Sequence, residues 1–477
     1  MLKEGIPLAS KLGRRNHNVD FTVGPITKNI FLFAIPTLLG DVFSALYNVV
    51  DTIVVGQFVG SGALAAVGSS FAIHMVAAAV YGGFGMGSGV LTAQMFGAKR
   101  HDQLTATVNT AYIGAFFIGL TMIIVGELIA VPLLRLLNTP DSIMEMAAAY
   151  LRVFFLGCAG QLFYLMGSSM LRGLGDSRWP TYALVFCAVL NTLLDLLFVC
   201  VFHWSVTGAA AATVISQLLS GIAVVIRIYN GNYGIKLERK TFRIDWDILK
   251  SILKIGIPGS FQLAVTSVGT MILTRFANGF GEDLVATNSI VQKIEQFSLL
   301  PGNAIGRALQ MFVGQNLGAG NRERTKEGMR KTFGLICGIG LFVGLVDLAL
   351  ARILCRAFVS NEVVIRMGVT AVRIIALFFV IHAAQMSLSG ILTGAGATKS
   401  VMYVSFIGIG VRVLCCYLFA VKTGHWQGLF WATNAFYLVS AVLYALYIWK
   451  FDWMKYVAVK PRRPVAEASG ESEPAED

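Results

Sequence analysis

The sequence predicts an all-α integral membrane protein: twelve transmembrane helices in two six-helix lobes, related by an axis along the membrane normal. Of its 477 residues, 56% are hydrophobic and only 13% are charged, whereas about 25% of residues are charged in a typical soluble domain. Long apolar runs recur along the chain, and a run of about 20 residues is enough to cross a bilayer. The two halves of the chain also carry the same short motifs in the same order.

Apolar runs and the polar breaks between them place six spans in each half. The predicted spans are 29–57, 62–94, 104–134, 143–171, 179–202, 207–228, 249–277, 284–316, 327–355, 362–391, 400–421 and 427–449. They divide the chain into an N-terminal segment (1–28), an N-lobe (29–228), an inter-lobe linker (229–248), a C-lobe (249–449) and a tail (450–477). The tail from Val459 onward is rich in proline and acidic residues, which is typical of disorder.

Lysine and arginine residues predict the orientation, because cytoplasmic loops carry an excess of them. Most of the 38 Lys and Arg residues fall in the two terminal segments and in alternate loops, and the intervening loops are short and nearly free of them. We therefore expect a multi-pass protein of the cell (plasma) inner membrane with both termini in the cytoplasm. The net charge of +12 is explained by this topology, and no nucleic-acid partner is expected.

Enzyme chemistry is not indicated by the sequence. All seven cysteines lie inside or at the ends of apolar runs, without the spacing of a metal site, and we expect them to be buried thiols. No clustered nucleophile or metal ligands occur at helical spacing. We predict no cofactor and no metal other than a possible sodium ion.

The two halves repeat at an offset of about 221 residues. The matching positions, in order, are Pro36 and Pro258, Gln94 and Gln315, Gly173 and Gly394, and Gly208 and Gly428. Each repeat has an even number of helices, so both enter the membrane from the same side. A duplication of this kind builds a cavity between two lobes that can rock, which is the basis of alternating access.

Four motifs carry a family resemblance. They are residues 46–56 (LYNVVDTIVVG), 171–176 (LRGLGD), 191–195 (NTLLD) and 313–321 (VGQNLGAGN). Together they resemble the MATE family of multidrug and toxic compound extrusion proteins, over roughly residues 25 to 450. The resemblance implies a twelve-helix, two-lobe antiporter that exports organic cations in exchange for protons or sodium ions.

The sequence departs from the family pattern in three places. Leu196 stands where many members have proline, so we expect a straighter fifth helix. The seventh helix lacks the carboxylate found in one branch of the family, and His382 stands where that branch has an aspartate. The last two departures argue against a sodium site in the C-lobe and favour a coupling site in the N-lobe.

The predicted coupling site consists of Asp51 and Asp195, supported by Asn48 and Asn191. Asn191 and Asp195 are four residues apart and share a helix face, as do Asn48 and Asp51, which are three apart. The resemblance implies that the two faces meet inside the N-lobe. Two adjacent carboxylates would raise each other's proton affinity, and the same oxygens could hold sodium. The alternative interpretation is a polar clamp between helices that does not titrate.

Asp41, Tyr47 and His382 are candidates for the substrate cavity. Asp41 either attracts a cationic drug or pairs with a basic residue. His382 is either a hydrogen-bonded packing residue or a proton-coupling group, because histidine titrates near neutral pH.

Three further charged residues lie within C-lobe spans. We expect Lys293 and Glu295 in the eighth span to form structural ion pairs with partners on other helices. Arg412 stands at the repeat equivalent of Asn191, and Cys416 at that of Asp195, so the C-lobe has a cation where the N-lobe has its acidic pair. We expect Arg412 to make a structural interaction.

The function that the sequence favours is secondary antiport, driven by protons or sodium ions, that exports organic cations or drugs by alternating access. The predicted partners are such a substrate and the lipid bilayer, and we expect a monomer. The alternative is a flippase for a lipid-linked saccharide with a related fold. That class should present a cationic cavity, and the N-lobe carboxylates argue against it.

Overall fold

The computed structural model describes the backbone of residues 18–58, 61–137, 139–231, 233–235 and 242–459, and their side chains except those of 47–65 and 72. Within these ranges the chain forms thirteen α-helices. They are α1 (Ile26–Phe58), α2 (Ser61–Gly97), α3 (His101–Leu136), α4 (Asp141–Gly173), α5 (Arg178–Asp195), α6 (Ser205–Asn230), α7 (Trp246–Asn278), α8 (Glu282–Gly318), α9 (Arg322–Arg356), α10 (Glu362–Ala376), α11 (Phe379–Gly394), α12 (Thr398–Cys416) and α13 (Gly428–Lys450). The prediction of an all-helical membrane protein is confirmed.

Ten of these helices are long and apolar enough to cross a bilayer, and α10 and α11 together form an eleventh, bent span. The remaining predicted span is α8, which is 37 residues long but carries Lys293, Glu295 and Arg307 in its interior. Many large apolar side chains on the helices are exposed, for example Leu128 at 72% and Phe342 at 68%. Soluble proteins rarely expose so large an apolar surface to water, whereas the hydrocarbon of a bilayer would cover it.

The tenth span differs from its prediction. We expected one continuous helix over 362–391, but α10 and α11 meet at an angle of 50°. Asn434 of α13 donates its side-chain amide to the Ile374 carbonyl at 2.7 Å, and the Phe378 amide bonds to Ile375 rather than to Ile374. A side chain that takes a carbonyl from the helical ladder is a recognised cause of bending.

A π-helical turn follows α5 and another follows α12. The first covers Leu196–Val201 and the second Tyr417–Val421, and they start at repeat-related positions. In each turn an i to i−5 bond closes the wider ring, as between the Phe202 amide and the Leu197 carbonyl at 2.9 Å. The helical ladder therefore widens at Leu196 although this position has no proline, and the expected straighter course of the fifth helix stays a prediction.

The helices pack into two lobes. In the N-lobe, α4 packs against α2, α3 and α6, and α5 packs against α1 and α6. In the C-lobe, α12 packs against α7 and α13, and α9 and α11 pack against α8. Between the lobes, α2 packs against α7 and α8, and α1 packs against α8.

The first and the last described residues lie at the same end of the molecule, which we call the terminal end. Repeat-related residues join the two lobes at this end. Gln94 donates to the Gly394 carbonyl at 3.1 Å, and Gln315 donates to the Gly173 carbonyl at 2.8 Å. Gly97 crosses α8 so closely that a Cβ there would overlap the Gln315 backbone oxygen. In both directions, therefore, a glutamine of one lobe donates a hydrogen bond to a glycine carbonyl of the other lobe.

The segments that flank the helical body also bind at the terminal end. The Phe21 amide donates to the Gln315 side chain, and the Ala458 amide donates to the Gln94 side chain, both at 2.9 Å. Phe21 is fully buried and Val459 is 2% exposed. The chain on either side of the spans therefore packs over the junction between the lobes.

Candidate coupling and substrate sites

The N-lobe holds a buried polar cluster at the end of α5. Asn191 and Asp195 are each 1% exposed, and they share one face of the helix as their spacing predicts. With its amide oriented so that both atoms find partners, Asn191 donates to Asp195 Oδ2 at 2.8 Å, and its carbonyl oxygen accepts from the Thr213 backbone amide of α6 at 3.1 Å. The π-helical turn begins at the next residue, Leu196. The cluster thus combines a carboxylate, an amide and a hydroxyl inside an apolar lobe.

The other half of the predicted coupling site lies on α1. The side chains of Tyr47, Asn48 and Asp51 lie outside the described part of the structure, although the helix backbone continues through them. Helix α1 packs along α5, as a meeting of Asp51 with Asp195 requires. That meeting, and the role of Tyr47 in a substrate cavity, remain predictions.

Asp41 bridges the lobes. It forms an ion pair with Arg307 of α8, so of the two alternatives for Asp41 the structure shows pairing with a basic residue. The pair is not sealed from solvent, because the side chains are 28% and 34% exposed. Arg172 of α4 lies near enough to interact electrostatically with both. An acid from one lobe is thus held between two cations, one from each lobe.

The C-lobe encloses a cavity of about 620 Å³ bounded by α7, α8, α11, α12 and α13, a volume typical of small-molecule sites. Its many polar side chains include Gln262, Glu295, His382, Gln385, Arg412 and Tyr437. Lys293 and Gln296, which are exposed, lie on its rim. The cavity can therefore be reached from outside the lobe.

Glu295 and Arg412 both line this cavity but do not form an ion pair. Glu295 accepts a hydrogen bond from the Tyr437 hydroxyl at 2.5 Å, and Arg412 donates to the Thr433 hydroxyl at 3.1 Å. Among the described residues neither Lys293 nor Glu295 forms the expected ion pair, and each contacts a neutral partner instead. The Lys293 ammonium lies 5.9 Å from the Phe358 ring centroid.

His382 belongs to the same cavity. Its side chain is 4% exposed, and its ring centroid lies 4.1 Å from that of Tyr437. Neither ring nitrogen has a hydrogen-bond partner in the part of the chain that the structure describes. Among the described residues His382 therefore packs against Tyr437 without a side-chain hydrogen bond, and its proton-coupling role stays a prediction. His74 makes a similar ring contact in the N-lobe, with its ring centroid 4.4 Å from that of Phe154.

The motif after α4 has a structural role. Asp176 is 3% exposed and accepts from the Arg178 and Trp179 amides at the start of α5, each at 3.1 Å. Its other oxygen accepts from Arg227 at 3.1 Å and from the Tyr233 hydroxyl at 2.6 Å. Burial, reinforced by Asp176, raises the pKa of Tyr233, so the phenol stays a donor at neutral pH. Asp176 thereby ties the start of α5 to the inter-lobe linker.

Sequence reasoning missed three residues of these sites. Arg307 was not singled out, although a charge inside an apolar helix was the signal used for Asp41. Asp347 of α9 is 4% exposed and accepts from the Ser298 hydroxyl at 2.7 Å, and the same signal would have found it. Tyr437 gave no signal, because tyrosine is common in membrane helices.

Comparison with known proteins identifies the family. The family model described as MatE matches residues 36–197 and again 258–418, once in each half of the chain. The chain is 31% identical to the "Probable multidrug resistance protein YpnP" of Bacillus subtilis over 401 residues, which is 82% of this chain and 88% of that protein. It is 20% identical to the "Multidrug export protein MepA" of Staphylococcus aureus over 399 residues, covering 83% and 88% of the two chains.

Solved structures share the fold. One described as the "Outward-facing conformation of a multidrug resistance MATE family transporter of the MOP superfamily" superposes with a TM-score of 0.85 at 24% identity, covering 93% of this chain and 98% of that one. A MOP superfamily transporter from Pyrococcus furiosus gives a TM-score of 0.84 at the same identity and coverage. The repeated match and the shared fold together show that the chain belongs to the MATE family of transporters.

Proposed function

We propose that the protein is a secondary antiporter that exports organic cations or drugs in exchange for protons or sodium ions. The observation that carries the proposal is the buried cluster of Asp195, Asn191 and Thr213. An ionisable group in a membrane span costs about 3 kcal/mol or more and is commonly functional. The names of the relatives, which include multidrug export and resistance proteins, support the choice of substrate.

The cluster suits either coupling ion. A carboxylate, an amide oxygen and a hydroxyl are the oxygen ligands that hard cations take. The same carboxylate can carry a proton, and a second carboxylate at Asp51 would raise its proton affinity. The proposal therefore places ion binding in the N-lobe and leaves protons and sodium ions as the two outcomes of the test.

The duplicated architecture supports transport by alternating access. The ion pair of Asp41 with Arg307 and the hydrogen bond of Gln94 to Gly394 lie in the halves of their helices nearest the terminal end. We propose that the terminal end is cytoplasmic, since the basic loops lie there, and that the protein resides in the inner membrane as a monomer. The structure then corresponds to a state closed toward the cytoplasm.

The test is efflux of a fluorescent organic cation from proteoliposomes under a pH gradient or a sodium gradient, imposed separately. We expect one gradient to drive efflux and Asp195→Asn to abolish it. The matched control is Asp347→Asn, which makes the same change at another buried carboxylate and should retain efflux. Undiminished efflux in Asp195→Asn, or equal loss in both variants, would remove the N-lobe coupling site.

A second candidate is a flippase for a lipid-linked saccharide. It is favoured by one observation: two cations, Lys293 and Arg412, line the C-lobe cavity and outnumber its carboxylate, Glu295. A pyrophosphate-linked lipid would require such a lining. Lipid translocation without any gradient, combined with no cation efflux under either gradient, would favour this candidate over the antiporter.

A further inference from the structure

Several polar atoms of residues that line the C-lobe cavity lack a hydrogen-bond partner among the described residues. In the described part of the chain, the unpartnered buried atoms include both ring nitrogens of His382, the side-chain oxygens of Gln262 and Gln385, and Nε of Arg412. Most buried polar groups in proteins are hydrogen-bonded, and leaving one unsatisfied costs about 1–3 kcal/mol. A ligand that carries polar groups into the cavity would satisfy these atoms.

The charges of the cavity are arranged as a separated pair. Glu295 and Arg412 interact electrostatically but do not form an ion pair, and each is hydrogen-bonded to a neutral hydroxyl. A ligand with only a positive charge would meet Glu295 but would also lie near Arg412 and Lys293. A ligand with only a negative charge would meet the two cations but would lie near Glu295. The cavity is therefore only partly complementary to a ligand that carries a single charge, whether positive or negative.

We propose that the C-lobe cavity binds an amphoteric solute, with its cationic group at Glu295 and its acidic group at Arg412. The rings of Tyr437 and His382, with centroids 4.1 Å apart, add aromatic surface to the lining of the same cavity. His382 and Gln385 supply hydrogen-bonding atoms that a conjugated ligand would satisfy. The inference rests on the proposed export function, of which it names one solute class, and it assigns Glu295 and Arg412 as the residues that select it.

A pair of dyes that differ at one group tests the proposal. Rhodamine 110 carries a delocalised cation and a free carboxylate, and rhodamine 123 is its methyl ester, with the cation alone. Binding is measured by fluorescence polarisation with the full-length protein in nanodiscs, without any ion gradient. We expect rhodamine 110 to bind about tenfold or more tightly than rhodamine 123, since a charged hydrogen bond is worth about 1.5–3 kcal/mol.

Variants assign the two ends of the ligand. Arg412→Gln should weaken rhodamine 110 about tenfold without weakening rhodamine 123, and Glu295→Gln should weaken both dyes. Arg412→Lys keeps the charge and should retain most of the preference, which separates loss of charge from misfolding. The control is Arg275→Gln, which removes an exposed arginine of α7 that does not line the cavity and should change neither affinity.

The outcomes separate this inference from the proposed function. Equal affinity for the two dyes in the wild type, or equal loss of both in Arg412→Gln, would overturn the amphoteric site even if gradient-driven efflux of a cation is observed. Conversely, a preference for rhodamine 110 that depends on Arg412 would stand as a binding property even if Asp195→Asn had no effect on efflux.

Discussion

The ion pair between Asp41 and Arg307 should bias the protein toward the state closed at the terminal end. Among the described residues it is the one ion pair that joins the two lobes. Opening at that end requires α1 to move away from α8, so the pair must break. We therefore expect Arg307→Gln to raise the population of molecules that are open at the terminal end.

The size of the effect follows from the surroundings of the pair. Removing one partner of a fully buried pair costs about 3–5 kcal/mol, whereas an exposed pair contributes about 0–1 kcal/mol. The two side chains are 28% and 34% exposed, and Arg172 remains near Asp41 when Arg307 is lost. We take about 1–2 kcal/mol, which corresponds to a factor of about 5–30 in population.

Alkylation of a cysteine buried at the lobe junction measures this population. Ala93 of α2 is fully buried and faces Gly314 of α8, so Ala93→Cys should react with a maleimide only when the lobes separate. In a background without the native cysteines, Arg307→Gln should accelerate the reaction about 5- to 30-fold. Asp41→Asn should act in the same direction.

The double variant decides whether the pair itself is responsible. If Asp41 and Arg307 act through their contact, Asp41→Asn combined with Arg307→Gln should react no faster than the quicker single variant. Lys331→Gln, which breaks a surface pair with Glu327 within α9, should leave the rate unchanged. An unaltered rate in Arg307→Gln, or a double variant whose acceleration is the product of the two singles, would refute the reasoning.

Two further predictions concern stability. Asp176→Ala should lower the free energy of unfolding by about 2–4 kcal/mol, because it leaves the partly buried Arg227 without its acidic partner and removes a helix cap. Thermal unfolding in detergent measures this loss. The control is Asp247→Ala, which changes a side chain that is 95% exposed and should have little effect. Gly97→Ala should cost about 1–3 kcal/mol by overpacking the crossing of α2 and α8, whereas Gly338→Ala, with open space around its Cβ position, should be tolerated. Equal melting temperatures within either matched set would contradict the corresponding prediction.

Much of the fold was predictable because each span carries its own signal. A helix in a bilayer must satisfy its backbone internally, so length and apolarity mark a span without knowledge of its neighbours. The bend between α10 and α11 has no such local mark, since Leu377 and Phe378 are ordinary helix residues. Its cause is Asn434, which is 60 residues away from the carbonyl that it takes.

The sites were predictable to a similar degree. The shared face of Asn191 and Asp195 follows from their spacing along one helix, and the structure shows the contact. The partner of Asp41 could not be chosen from the sequence, because Arg307 lies 266 residues away and several basic residues were available. The neutral partners of Glu295 and Lys293 were missed for the same reason. A charged residue in a span needs a partner, but its position in the sequence does not identify the partner on another helix.

The duplication separates what the backbone imposes from what the side chains add. Both lobes have a π-helical turn at the same repeat position, although the preceding residue is Asp195 in one lobe and Cys416 in the other. The turn therefore cannot be a consequence of the carboxylate; it belongs to the repeat. The chemistry is what differs, with an acid beside the turn in the N-lobe and Arg412 one helical turn earlier in the C-lobe. On this basis the two lobes offer one scaffold with opposite charges, which is the arrangement expected if the coupling ion and the acidic group of a solute bind in different lobes.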